Sequence, residues 1–209
     1  MEVTYYGADC IEISLKQLNL VINPQIDKFG LKLPKLKTDI ALFTSLPSEP
    51  LPSGFVIAQP GEYELKNVAI KGIAANLHSD PPEESPQNVM YTISTAGITL
   101  LFTGNIKPDL SEQQAEAIGT VNVLVLPVGG FGLSMDASSA AKFVGTLEPQ
   151  FIIPIFYDDG ATKYPVPQAK IDTFLSEVGQ KPEPIDKLKI TAKDLETEAK
   201  VVVLKRQSS

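Results

Sequence analysis

The sequence predicts an α/β protein in which two β-sheets pack together with helices on the outside. Two observations lead to this prediction: short β-rich runs dominate the first half of the chain, and helical and strand patterns alternate in the second half. A third is size, because 209 residues with 43% hydrophobic and 21% charged side chains suffice for one substantial core. The sequence has no clear internal repeat and no long linker. We therefore expect a single domain over residues 1–209.

The first half of the chain is predicted to be mainly β-sheet. Its apolar runs are short and are separated by turn signals such as Gly7-Ala8-Asp9. Thr95-Ala96-Gly97 suits a hairpin between the last two runs. The predicted strands are Val3–Tyr6, Ile11–Leu15, Leu20–Asn23, Asp39–Phe43, Phe55–Ala58, Val68–Ile73, Val89–Ser94 and Ile98–Phe102.

The second half alternates between helical and strand patterns. Each predicted helix has a start signal, either a capping residue or a proline, and glycines end two of the three. The helices are predicted to run from Ser111 to Gly119, from Asp136 to about Leu147 and from Pro167 to Gly179. The predicted strands of this half are Val121–Val128, Phe151–Phe156 and Lys200–Lys205.

Composition excludes several classes of function. A formal net charge of −7 argues against nonspecific nucleic-acid binding, which needs Lys and Arg surfaces, and gives no support for docking on an anionic membrane. No apolar run approaches the roughly 20 residues that cross a bilayer, and Met1–Asp9 lacks the basic region of a secretory signal. Cys10 is the single cysteine, so a reducing compartment fits. We expect a cytoplasmic protein that binds neither nucleic acid nor membranes.

Six segments, taken in chain order, carry a resemblance to a known family. They are YYGADCIEIS (Tyr5–Ser14), VINP (Val21–Pro24), PGEYEL (Pro60–Leu65), ITLLFTGN (Ile98–Asn105), VNVLVLPVGG (Val121–Gly130) and LEPQFIIPIFY (Leu147–Tyr157). Together they resemble the metallo-β-lactamase superfamily, in particular its small metal-dependent hydrolases similar to ascorbate-6-phosphate lactonase. The resemblance covers about residues 1–205. It implies a four-layer αββα sandwich, a zinc-dependent chemistry in active members and a capacity for self-association, so a homo-oligomer is one expectation.

The main metal-binding motif of that family is replaced in this sequence. The motif is His-x-His-x-Asp-His after a strand, and the matching stretch here is Ser45–Pro50. Ser45, Pro47 and Pro50 stand at the histidine positions, and Glu49 stands at the aspartate position. Proline has no side-chain donor atom, and a serine hydroxyl is a poor ligand for zinc.

The remaining family positions are only partly retained. The resemblance places the next histidine at His78, the metal-bridging aspartate at Asn105 and the last histidine at Phe156, beside Tyr157. Catalytic zinc commonly has three protein ligands and an open position for water, whereas these positions offer only Glu49 and His78. We therefore expect no catalytic metal and no metal-activated hydroxide.

The resulting expectation is a protein of this fold that has lost most metal ligands and acts by binding. The predicted cleft is bordered by Ser45–Pro50, His78, Asn105, Phe156 and Tyr157, and its partner is an unidentified small molecule or protein. The alternative is a residual hydrolase that uses one weak metal or none on a small phosphorylated or lactone-like substrate.

Individual residues also allow simpler interpretations. His78 is either a ligand or general base, or a partly exposed loop histidine with one hydrogen bond. Asn105 either binds a ligand or caps the end of a strand. For Cys10 a buried apolar side chain is favoured over a nucleophile, and for the Asp158-Asp159 turn a solvated loop is favoured over a calcium site.

Overall fold

Two β-sheets face each other in the computed structural model, which describes residues 1–52, 54–78 and 87–208. The six-stranded sheet contains β1 (Glu2–Gly7), β2 (Cys10–Ser14), β3 (Asn19–Ile22), β4 (Ile40–Leu42), β5 (Phe55–Ile57) and β12 (Leu188–Lys189). The seven-stranded sheet contains β6 (Gly61–Leu65), β7 (Val68–Asn76), β8 (Gln87–Thr95), β9 (Ile98–Phe102), β10 (Val123–Pro127), β11 (Phe151–Ile155) and β13 (Lys200–Val201).

Both sheets are mixed. The order of the first is β12-β1-β2-β3-β4-β5, with antiparallel pairs up to β3 and parallel pairs from β3 to β5. The order of the second is β13-β11-β10-β9-β8-β7-β6, parallel from β13 to β9 and antiparallel beyond. Parallel strands end at the same edge of a sheet. The loops after β3 and β4 therefore lie at one edge of the first sheet, and the loops after β9, β10 and β11 lie at one edge of the second.

Three α-helices are present in the described part of the chain: α1 (Glu112–Ile118), α2 (Ala137–Leu147) and α3 (Ile171–Val178). Their apolar faces pack on the seven-stranded sheet, where Phe143 of α2 and Phe174 of α3 join Leu124, Leu126 and Ile152 in one buried cluster. None of the described helices is long and apolar enough to cross a membrane.

The main core lies between the sheets. Alternate residues of facing strands fill it, including Ile11 and Ile13 of β2 and Val123 and Val125 of β10, all fully buried. Burying an aliphatic side chain of this size stabilises the fold by about 1.5–3 kcal/mol. The predicted fold class, an α/β sandwich of two sheets with helices, is confirmed.

Helix starts agree with the sequence where a side-chain cap is present. Ser111 accepts a bond from the Gln114 amide (3.2 Å), and the Gln114 side chain accepts one from the Ser111 amide (2.9 Å), which completes the predicted capping box. Asp136 accepts a bond from the Ser139 amide (2.8 Å) and caps α2.

The predicted start of the third helix is wrong. Residues 167–170 are not helical, and α3 begins at Ile171. The Ala169 amide instead donates to the Gly129 carbonyl (2.8 Å), and the Asp158 amide donates to the Ala169 carbonyl (2.9 Å). This segment therefore extends the sheet region beyond β10, and these bonds outweigh the helix-start preference of Pro167.

The strand predictions differ from the structure at three places. The strand predicted at Lys200–Lys205 stops at Val201, because the chain beyond it pairs with Ile185 instead. The Ile185 amide donates to the Val203 carbonyl, and the Lys205 amide donates to the Ile185 carbonyl. The edge strands β6 and β12 lie outside all of the predicted strands.

Candidate functional site

The candidate cleft is formed where loops leave the ends of several strands. The backbone joins these loops: the Val89 amide donates to the Thr44 carbonyl (2.8 Å), and the His78 amide donates to the Asn105 carbonyl (2.8 Å). The Phe156 amide donates to the carbonyl of Ala8 (3.0 Å), which ties the loop after β11 to the opening turn. These bonds join three pairs of segments: the loop after β4 with β8, the loop after β7 with the loop after β9, and the loop after β11 with the opening turn.

Asn23 is the centre of a polar network beneath the cleft. Its side chain is buried, and its Nδ2 donates to Asp9 Oδ2 (2.8 Å) and Thr44 Oγ1 (3.0 Å). Its Oδ1 accepts a bond from the Thr44 amide (3.0 Å). The backbone of Asn23 has a φ of +49°, a left-handed conformation that asparagine tolerates better than most residues. One amide therefore connects the opening turn to the ends of β3 and β4.

Asp9 is the carboxylate of this network. Burial raises its pKa above the ordinary aspartate value, while the positive charge of Lys28 and the Asn23 hydrogen bond act in the opposite direction. Since desolvation is the larger effect, Lys28 and Asn23 offset only part of the hydration that the ionised carboxylate loses on burial.

A cavity of about 30 Å³, roughly the space of one water molecule, lies beside Asp9 and Asn23. Lys28, Ser45 and Pro47 also line it. The cavity thus touches two of the positions where the family motif places histidines, and its polar lining contains one carboxylate and one ammonium group.

The loop at the motif position is exposed and is held from one side. Gln25 clamps Ser48: its Oε1 accepts bonds from the Ser48 amide (3.0 Å) and hydroxyl (3.1 Å), and its Nε2 donates to the Ser48 carbonyl. Ser45, Glu49 and Pro50 are exposed, and Pro47 is half-buried. The Glu49 carboxylate accepts a bond from the Leu51 amide (3.1 Å), so it already has a partner within its own loop.

His78 and Asn105 lie next to each other through their backbones. Both residues are half-buried. The Asn105 Oδ1 is buried and makes no hydrogen bond within the described part of the chain. An unsatisfied buried acceptor costs about 1–3 kcal/mol, which makes this oxygen a group that a ligand, a water or an ion could satisfy.

Phe156 and Tyr157 are buried in the protein core. The Phe156 ring belongs to the cluster between the sheets and contacts the rings of Phe29 (centroids 5.8 Å apart) and Tyr164 (4.7 Å) in edge-to-face geometry. Tyr157 belongs to the cluster beneath the helices, and burial, followed by the charge of Asp159, raises its pKa to about 12. The phenol of Tyr157 is therefore neutral at physiological pH.

Among the residues that the structure describes, the donor set does not fit a pair of catalytic zinc ions. Over residues 1–52, 54–78 and 87–208, no three His, Cys, Asp or Glu side chains are arranged to hold a metal ion. Cys10 is buried, and burial raises its pKa well above the ordinary thiol value, which disfavours the thiolate that metal ligation or nucleophilic attack requires. Glu49 is exposed and bonded to its own loop, and Asn105 is neutral. We therefore derive no step through a metal ion.

The sequence did not single out Asn23, Lys28 or Thr44 as residues of the site. Their contacts join positions 14 and 21 residues apart along the chain, and no local pattern specifies such contacts. The only available signal was the Asn-Pro at the end of β3, which is typical of a turn at a strand end.

Comparisons with known proteins agree with this architecture. A sequence profile described as the beta-lactamase superfamily domain matches residues 2–156. A UPF0173 metal-dependent hydrolase of Pyrococcus furiosus is 32% identical over 93 residues, a stretch that makes up 44% of this chain and 39% of that relative. The chain thus matches less than half the length of that curated relative.

Solved structures extend the similarity to the whole chain. A proposed Zn-dependent hydrolase of the metallo-β-lactamase superfamily from Thermotoga maritima superposes with a TM-score of 0.77 at 25% identity, over 98% of both chains. Igni18, a metallo hydrolase of Ignicoccus hospitalis, superposes with a TM-score of 0.66 at 18% identity over 98% of this chain and 95% of that one, a likeness of fold. The family profile covers well over half of the sequence, and the chain belongs to the metallo-β-lactamase superfamily.

Proposed function

We propose that this protein is a member of the superfamily that has lost most metal ligands and acts by binding a small molecule or another protein at the former active-site cleft. The observation that carries the proposal is the set of side chains at the family's metal positions. Of these positions only Glu49 and His78 keep a side chain that commonly binds zinc. Hydroxide activation near neutral pH requires a tightly held ion, so loss of the ligands removes the chemistry.

The surroundings of the cleft support the same proposal. Gln25 fastens the loop at the motif position, and the Asn23 network fastens the ends of β3 and β4. In a metal-dependent enzyme, ion coordination would contribute to holding such loops. Here hydrogen bonds between side chains and backbone supply that support. Asn105 and the small cavity beside Asp9 remain as polar groups that a bound molecule can contact.

A metal-dependent hydrolase acting on a small phosphorylated or lactone-like substrate is the second candidate. It is favoured by the relatives, since the Pyrococcus and Thermotoga proteins are both described as metal-dependent or Zn-dependent hydrolases. It also draws on His78 and on the unpaired Oδ1 of Asn105, which are neighbours across a backbone hydrogen bond. In this case one ion would be held by few ligands and weakly.

Metal content decides between the two candidates. The full chain would be purified from zinc-supplemented cells, analysed by elemental mass spectrometry and titrated with zinc chloride in a calorimeter. We expect far less than one equivalent of bound zinc and no saturable binding at micromolar zinc. His78→Ala and Glu49→Gln would then behave like the parent protein.

The matched control is Glu62→Gln, at an exposed carboxylate of β6 that pairs with Lys71. One equivalent of zinc that is lost in His78→Ala but retained in Glu62→Gln would overturn the proposal and favour the hydrolase. Zinc-stimulated cleavage of a phosphodiester or lactone by the parent protein, abolished in His78→Ala, would have the same consequence.

A further inference from the structure

The two sheets expose their edges next to each other at one side of the sandwich. Among the strands that the structure describes, β5 ends the six-stranded sheet and β6 ends the seven-stranded sheet. Between them lies an apolar groove of about 240 Å³. Ile40, Ile57 and Ile70 are buried at its floor, and Phe55, Tyr63 and Leu65 line its rim.

Two large apolar side chains of this edge groove are exposed to solvent. Phe55 is 61% exposed and Leu65 is 42% exposed. Proteins usually protect an open edge strand with charges, prolines or a covering element, because its unpaired amide and carbonyl groups can accept another strand. An open edge beside an apolar groove has the two features that strand-addition sites combine: backbone groups for affinity and a pocket for alternate side chains.

The charges along β6 indicate the kind of occupant. Glu62 is paired with Lys71 (3.1 Å), whereas Glu64 lines the groove, is exposed and forms no ion pair with the described residues. Antiparallel pairing of β6 with a second copy of itself, centred on Tyr63, would place Glu62 opposite Glu64. Like charges directly opposite each other destabilise a strand pair. Self-pairing in this register is therefore disfavoured, and the exposed Glu64 favours a partner with a positive charge.

We propose that the edge groove binds an extended segment of another protein, which adds to the sheet along β6. Its alternate side chains are apolar and occupy the space between Phe55, Tyr63 and Leu65, and a Lys or Arg lies opposite Glu64. β6, with five residues, offers a longer pairing edge than β5, with three. The groove shares no residue with the cleft lining named above, so metal binding in the cleft would leave this proposal intact.

Selection from a displayed library of random eight-residue peptides on the full chain tests the proposal. We expect enriched peptides with apolar residues at alternate positions and at least one Lys or Arg. With Glu64→Lys the charge preference should invert to Asp or Glu, and with Leu65→Asp the enrichment should be lost. The matched control is Glu116→Lys, at another exposed carboxylate, on α1, which should select the same peptides as the parent.

Binding of one enriched peptide and of its Lys-to-Glu counterpart would then be measured by fluorescence anisotropy. The parent should bind the basic peptide at least tenfold more tightly than the acidic one, and Glu64→Lys should reverse that order. Circular dichroism of each variant establishes that it is folded. A selection without a consensus, or a consensus unchanged by Glu64→Lys and Leu65→Asp, overturns the proposal. A dimer of the parent in light scattering that Leu65→Asp dissociates also overturns it, because the groove would then hold a second copy.

Discussion

Removal of the Asn23 side chain should destabilise the fold far more than an ordinary surface change. Three well-formed hydrogen bonds would be lost: to Asp9 (2.8 Å), to the Thr44 hydroxyl (3.0 Å) and from the Thr44 amide (3.0 Å). The Thr44 amide and the Asp9 carboxylate would be left with unmet hydrogen-bonding capacity. At about 1–3 kcal/mol for a buried unsatisfied group, we expect Asn23→Gly to lose about 2–4 kcal/mol of the free energy of unfolding.

Two variants of Asn23 separate the contribution of its side-chain hydrogen bonds from the cost of its left-handed backbone. Asn23 has a φ of +49°, so glycine removes the side chain without steric strain, whereas alanine adds the cost of a left-handed conformation, about 1 kcal/mol. Asn23→Ala should therefore be less stable than Asn23→Gly by about that amount. Urea denaturation followed by circular dichroism measures both values. An Asn23→Gly variant within about 0.5 kcal/mol of the parent, the range of ordinary surface changes, would show that the network contributes little.

Three further predictions follow from the structure. Burial raises the pKa of Asp9, so the folded state binds the Asp9 proton more tightly than the unfolded chain does. The stabilisation from this proton is therefore present at low pH and is lost as the pH rises from the ordinary pKa near 3.8 through the raised pKa of the folded state. Asp9→Asn should match the parent in urea midpoint at pH 3 and exceed it at pH 7, and equal midpoints at pH 7 would contradict this prediction. Gly129→Ala should cost about 3 kcal/mol or prevent folding, because the new Cβ would lie 2.3 Å from the Phe156 carbonyl oxygen. Gly145→Ala is the control: it lies in helix α2, a Cβ there meets no heavy atom within 4 Å apart from nearby atoms of its own helix, and it should raise stability by up to about 1 kcal/mol. Equal melting temperatures for the two variants would refute the steric argument. Phe156→Ala should cost about 3–5 kcal/mol in urea denaturation, as expected for a buried aromatic side chain, and a loss below 1 kcal/mol would mean that the ring contributes little to the core.

The fold was predictable because its signals are local or lie in chain order. The capping box that begins α1 and the glycine that ends it act within a few residues, and the structure confirms both. The start of α3 was not predictable from Pro167 alone. The competing interaction is the bond between Ala169 and Gly129, which joins positions 40 residues apart and leaves no trace in local spacing.

The candidate site was predictable only in part. The resemblance placed His78 and Asn105 in one cleft, and the structure brings their backbones into direct contact. It gave no indication that Asn23 would join Asp9 to Thr44, because a buried amide network depends on which loops meet in space. It also placed Phe156 at the border of the cleft, whereas the ring packs against Phe29 and Tyr164 in the core between the sheets. The backbone at Phe156 is left-handed, with a φ of +55°, a conformation that the sequence pattern does not indicate.

The late position of β12 and β13 in the chain has a consequence for biosynthesis. β12 (Leu188–Lys189) completes one edge of the six-stranded sheet, and β13 (Lys200–Val201) completes one edge of the seven-stranded sheet. Until they are synthesised, at about 5–20 residues per second, β1 and β11 are unpaired edge strands of the two sheets. A chain truncated before residue 188 would therefore keep an unpaired edge on both sheets, which is a feature that favours aggregation.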